Sequence, residues 1–279
     1  MANRKFPRIC ALICAMVLGI SSTAWAGQTC SDAPIDGTVV RNALEAGLQA
    51  SRALDELQPK VALIARIGSD LSEYGLRYSH LGFISREAPG QPWRMTHLLN
   101  ECGSATSELW HEGLGNFFMD DMFSFDSLIM IPDAKTQEAL WGLLHNPVAL
   151  EQMHSTSYSV VAYPFSTLHQ NSNQWVLEVL AEAQGGKVIS GRERAQAWLK
   201  ANGYQPSTLK IGMFKRLGGR MFKANVAFDG QPGDRRAAGL IDVVTVDSIR
   251  QFMKSLEIEQ SEREVIAKGI VVAPATKGR

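Results

Sequence analysis

Two alternating stretches, Tyr78–Arg86 and Trp93–Leu99, flank Ala88-Pro89-Gly90-Gln91, and that pairing constrains the fold more than any other feature of the chain. Successive side chains of a strand leave opposite faces. Tyr78, His80, Gly82 and Ile84 therefore share one side, and Ser79, Leu81, Phe83 and Ser85 the other. Trp93, Met95, His97 and Leu99 also share a face. The intervening Pro and Gly stand where a type II turn places them. A hairpin closed there sets His80 opposite His97, at a Cβ separation of about 4.5–5.5 Å that lets two imidazoles share a proton network. A one-residue slip in register would undo the arrangement.

The N-terminus carries the pattern of an export leader. Arg4, Lys5 and Arg8 form a basic start, Ile9–Ile20 is an apolar run shorter than a membrane span, and Ala24-Trp25-Ala26 is a small-x-small cleavage site. Cleavage after Ala26 predicts a periplasmic or secreted protein with no integral span, residues 1–26 being lost. Removing three basic and no acidic side chains leaves a mature chain close to neutral, from a precursor of formal net charge +0. Such a balance gives no electrostatic footprint for nucleic acid or anionic membrane.

Cys30 and Cys102 are the two cysteines that remain after cleavage. In an oxidising compartment they predict one disulfide. Its long loop would add about 4 kcal/mol by restricting the unfolded chain. A reactive Cys102 thiol near His97 is the competing reading.

Asp36 caps an expected helix over 36–57, closing an N-terminal segment at 27–59. The run Lys60–Ile67 predicts a buried strand, and Glu101–Asp126, rich in Gly and aromatic residues, a long ordered loop. Further strands are expected at Ser127–Ile131 and Tyr158–Phe165, with a helix after Asp133. A core-facing helix starts at Asn171–Asn173, and Ser190-x-x-Glu193 predicts a capping box for the next, closed by Gly203. Strands at Lys223–Phe228 and Leu240–Val244 and a helix over 247–256 complete a C-terminal extension at 187–256. Residues 257–279 form a tail without strong pattern. A hairpin with separate flanking helices is the signature of an α+β fold.

The chemistry converges on three residues. The first turn of a helix offers unpaired N–H groups and the positive end of a dipole, which favour a developing oxyanion. Ser172 stands there, His80 is the candidate base and His97 its orienting partner. Asn and Ser are also among the best helix caps, so Asn171 and Ser172 are equally explained without chemistry. Asp120-Asp121 shows no further ligands at a diagnostic spacing. His111, His145, His154 and His169 fit surface or loop positions, and His111 as third ligand to a metal held by His80 and His97 lacks a completing carboxylate or cysteine. No cofactor or metal is called for.

Tyr78-Ser-His80-Leu-Gly-Phe, Thr-His97-Leu and Asn171-Ser172-Asn-Gln-Trp-Val together resemble the circularly permuted NlpC-type papain-like superfamily, in the lecithin:retinol acyltransferase-like branch. The whole chain also resembles an exported bacterial domain-of-unknown-function family. The papain-like resemblance spans roughly residues 60–186 and implies a permuted papain-like core. It also implies a hydrolase or acyltransferase acting on amide or ester bonds of an envelope molecule, such as a peptidoglycan peptide or acyl group. Catalysis would fall to Ser172, His80, His97 and Asn171, with Tyr78, Trp110 and Asn116 binding substrate. The chain departs from that pattern at the nucleophile, where the family's cysteine is replaced by Ser172, a hydroxyl wholly dependent on its base. A non-catalytic binding module that keeps the cleft is the second expectation.

Overall fold

The computed structural model describes residues 35–120, 122–212 and 224–270, without the side chain of Lys187. The leader, Cys30 and Asp121 lie outside them. No helix among the described residues is long and apolar enough to cross a membrane.

The chain begins with α1 (Gly37–Leu57), started by Asp36, whose carboxylate accepts from the Thr38 amide. Next is β1 (Val61–Ile67), every residue of which is buried. The hairpin follows as β2 (His80–Ser85) and β3 (Arg94–Asn100). Its turn closes through the Gln91 amide on the Ala88 carbonyl, with Gly90 at φ 82°, a region glycine enters without steric cost.

The stretch expected to be one long loop instead holds β4 (Ser107–Gly113), the short α2 (Leu114–Phe117) and the start of β5 (Ser124–Pro132). Its aromatic and Gly content hid the period-two alternation of an edge strand. Asp133 caps α3 (Ala134–Leu144), and α4 spans Pro147–Gln152.

Tyr158–Phe165 is not a strand. It forms turns with one isolated bridge, Tyr158 to Gln170, and Pro164 supplies no amide to a ladder. α5 (Ser172–Gly185) follows, with Asn171 as its cap. The capping box expected at Ser190 does not form. Gly191 holds the cap position of α6 (Arg192–Ala201) without a side-chain bond, and the helix stops before Gly203 at φ 77°.

β6 (Ser207–Lys210) pairs with β7 (Leu240–Val243) as a small separate ribbon. Residues 224–228, expected in a strand, have none. A short α7 (Gly233–Ala237) precedes β7. The capping box that does form lies at Thr245 and Ser248, opening α8 (Val246–Ser255). The expected tail contributes β8 (Glu259–Val265), which pairs on β5 as an edge strand.

The architecture is α+β: a six-stranded antiparallel sheet in the order β4-β3-β2-β1-β5-β8 between two helical layers. One layer is α1 with α2, packed on Ala62, Ile64, Ile84, Met95 and Ile129. The other is built around α5, against Leu63, Leu81, Phe83 and Leu98. Here the Phe83 and Trp175 rings meet edge to face at 5.7 Å. α5 is buried on every side from Ser172 to Ala181, because the sheet covers one flank and helices the others.

Candidate functional site

The β2–β3 register decides how the two histidines meet. Ile84 pairs with Met95 and Phe83 with Thr96, two residues away from the register that opposes His80 and His97 directly. Continued by one step, the ladder puts His97 across from Gly82. The imidazoles still share a face and meet on the diagonal, with His80 Nε2 2.9 Å from His97 Nδ1. Gly82 makes the reach feasible. A Cβ there would lie 2.7 Å from Met95 Cε, 2.8 Å from His97 Cβ and 3.1 Å from the Thr96 carbonyl oxygen.

Gly82→Ala is therefore expected to destabilise the fold by about 1–3 kcal/mol, as overpacking does. Gly142→Ala, on the exposed side of α3 with open space around it, should instead stabilise by up to about 1 kcal/mol. Thermal melts of the two variants check the pair, and a Gly82→Ala melting point equal to the parent's would contradict the packing account.

The histidines belong to a buried polar cluster on the α1–α2 side of the sheet. The Glu112 carboxylate lies 3.0 Å from His97 Nε2, off the line of an ideal hydrogen bond. A carboxylate only accepts, so the His97 proton belongs on Nε2 and His97 Nδ1 accepts from His80 Nε2–H. Arg66, paired with His80 across β1 and β2, donates to the Phe117 carbonyl and meets Asp120 at 3.0 Å. Burial lowers the pKa of both histidines. Arg66 and then His97 add to the effect on His80, whereas Glu112 opposes it at His97. Both imidazoles are therefore neutral at pH 7.

Ser172 does not join them. His80 leaves β2 with Gly82 and Ile84 toward α1 and α2, whereas Ser172 sits on α5 against the opposite face. Its hydroxyl lies 3.4 Å from the Tyr158 hydroxyl. Asn171 is the cap, accepting from the Gln174 amide at 2.7 Å. Among the described residues, no Ser, Thr, Cys or Lys side chain hydrogen-bonds to His80. Both faces of the sheet are packed, so a pairing inferred from chain order is interrupted by the sheet itself.

The expected substrate contacts also scatter. Tyr78 is buried with its hydroxyl on Glu264 at 3.2 Å, Trp110 is exposed on β4, and Asn116 is exposed on α2. Cys102 lies in the turn after β3, and its expected partner Cys30 is outside the described residues. Asp120 serves Arg66. His154 contacts the Ser107 carbonyl at 3.0 Å, and His169 bridges Ser157 and Asp229 at 2.8 Å each.

What the sequence reading missed is a cleft of about 440 Å³ on the α5 side of β2, β3 and β4, at the end nearest the hairpin turn. Its floor is a rung of Ser85, Arg94 and Gly113, followed by Thr96 and His111. His145, at the end of α3, closes one wall. Thr96 Oγ1 meets His111 Nδ1 at 3.0 Å. His145 is held between the Trp141 carbonyl and Glu87, at 2.8 Å each, so both ring nitrogens donate and its pKa is raised, chiefly by Glu87. The available signals were the alternation in Ser107–Gly113 and, for the buried cluster, a lone Arg66 in an apolar run, since a buried charge requires partners.

Among the described residues, no three His, Cys, Asp or Glu side chains converge on a metal-sized site. No curated protein and no solved structure matches the chain. A family profile matches residues 53–253, well over half of the 279, and covers the hairpin, the buried cluster and the cleft. The chain therefore belongs to the DUF2145 family, described as an uncharacterised protein conserved in bacteria.

Proposed function

We propose that this protein is a ligand-binding module of the bacterial envelope that does not turn its ligand over. The observation that carries the reading is the open cleft over β2, β3 and β4, lined by charged and polar side chains among which neither Ser172 nor His80 stands. Its volume falls within the range of small-molecule sites. Export rests on the leader pattern of residues 1–26, and a disulfide between Cys30 and Cys102 fits that compartment. A permuted papain-like ancestry is supported by the chain order of His80, His97 and Asn171 and by α5 packing on β2 and β3. Hydrolysis by Ser172 has less support, because that hydroxyl faces Tyr158 and not an imidazole.

Two measurements test the reading. The mature protein should show no serine-directed fluorophosphonate labelling beyond that of Ser172→Ala. In Ser172→Cys the new thiol, at a position 8% exposed, should react with iodoacetamide at pH 6–7 more slowly than a free cysteine. Labelling that vanishes in Ser172→Ala, or a fast thiol slowed by His80→Ala, would restore the hydrolase and remove the binding-only reading.

A further inference from the structure

We infer that the cleft takes a ligand bearing a carboxylate, held by the Arg94 guanidinium. The inference rests on the ligand-binding reading above and adds the chemical class of the ligand. It begins with the charges around the cleft, because all but one have an internal use. Arg86 is bonded to Asp55 at 2.5 Å and lies 4.3 Å over the Trp93 ring. His145 and Glu87 neutralise each other, and Glu112 is turned to His97. The Arg94 side chain is exposed and, among the described residues, makes neither a hydrogen bond nor an ion pair.

The register explains why Arg94 is open to a ligand. Its rung neighbours are Ser85, a small buried side chain, and Gly113, where an added Cβ would meet nothing within 4 Å. The guanidinium is thus flanked by a hydroxyl on one side and empty space on the other, with Thr96 and His111 on the next rung. Pro92, Trp93 and Leu144 add apolar wall for the body of a ligand.

A planar guanidinium presents two parallel N–H donors that match the two oxygens of one carboxylate. A dianion is a poorer fit. His111 is held neutral by partial burial and by the charge of Arg94, so it offers no second cation, and the charge of His145 is already met by Glu87. The site therefore suits one negative charge on a largely neutral body.

The test uses the full mature chain and follows the His111 and His145 ring resonances by NMR. N-acetyl amino acids with a free carboxylate are titrated beside their carboxamides and inorganic phosphate. The acids should bind at least about tenfold more tightly than the carboxamides, and Arg94→Gln should remove that difference and leave carboxamide binding unchanged. Arg94→Lys should keep part of it, since it retains the charge but not the fork. Equal binding of acid and carboxamide, untouched by Arg94→Gln, overturns the carboxylate assignment and leaves the cleft a binding site. Phosphate binding more tightly than every acid overturns it in favour of a dianion. If no compound moves either histidine, the binding reading and the carboxylate assignment fall together.

Discussion

Arg192→Met is expected to destabilise the protein by about 3–5 kcal/mol, the usual result of removing one partner from a buried ion pair. Glu178 lies wholly buried in the middle of α5. Its two oxygens accept from Arg192 Nε at 2.9 Å, Gln170 at 2.6 Å, Gln196 at 2.7 Å and Gln174 at 3.2 Å. Arg192 also donates to the carbonyls of Thr167 and His169, tying the irregular 153–170 segment to α6. Burial raises the Glu178 pKa, and Arg192 is the largest influence opposing that rise. Without Arg192 the carboxylate is stranded, so its folded pKa rises further above the unfolded value. Protonation then favours the folded state, and the loss should be greatest at neutral pH and shrink as pH falls. Urea unfolding at pH 7 and pH 5 measures this. Glu178→Leu combined with Arg192→Met should recover much of the stability, because an apolar replacement leaves no uncompensated charge. A single variant as stable as the parent at pH 7 would show that the network contributes little.

Mild acid should weaken the fold through His80 and His97. Both folded pKa values lie below the ordinary histidine value, with burial the main cause, so the unfolded chain binds protons that the folded chain refuses. Stability is then complete above the unfolded pKa of about 6.5 and falls with pH below it. The slope approaches about 1.4 kcal/mol per pH unit for each histidine that stays neutral in the fold. His80 should hold that slope over the wider range, because Glu112 partly restores proton affinity at His97. Other groups also titrate near this window of about pH 5 to 6.5, among them Glu259, pushed up to about 7, and His111 and His145, so the comparison is with a variant that keeps them and lacks only the pair. Chemical denaturation across this window should show a steep parent and a flatter His80→Leu/His97→Leu double variant. Replacing both imidazoles leaves neither stranded, and Glu112, which loses His97, is 14% exposed and can turn to water, so the double variant should still fold. Equal slopes in the two proteins would rule out the histidine pair as the source of acid sensitivity.

Much of this fold follows from local sequence. Asp36, Asp133 and Asn171 each cap a helix where a short polar side chain precedes a periodic run, because the bond they make spans only two or three residues. The alternation of His80–Ser85 and Arg94–Asn100, with Pro89-Gly90 between, is enough to specify a hairpin and to put two histidines on one face. These are consequences of backbone geometry within about 20 residues, and they need no distant partner.

The rest belongs to the tertiary structure. The diagonal meeting of His80 and His97 depends on a register and on the missing side chain of Gly82, which no alternation encodes. β8 exists because β5 offers an unpaired edge, so Glu259–Val265 carries no apolar signal of its own. Ser172 and His80 are separated because α5 and α1 take opposite faces of one sheet, a choice made by the summed burial of Trp175, Phe83 and Leu98 on one side and Ile64, Ile84 and Met95 on the other. The cleft assembles Ser85, Arg94, Gly113 and His145 from three strands and the end of a helix. Sequence determined which faces the two hairpin strands would present; only packing, which sums burial over the whole chain, decided what would stand opposite them.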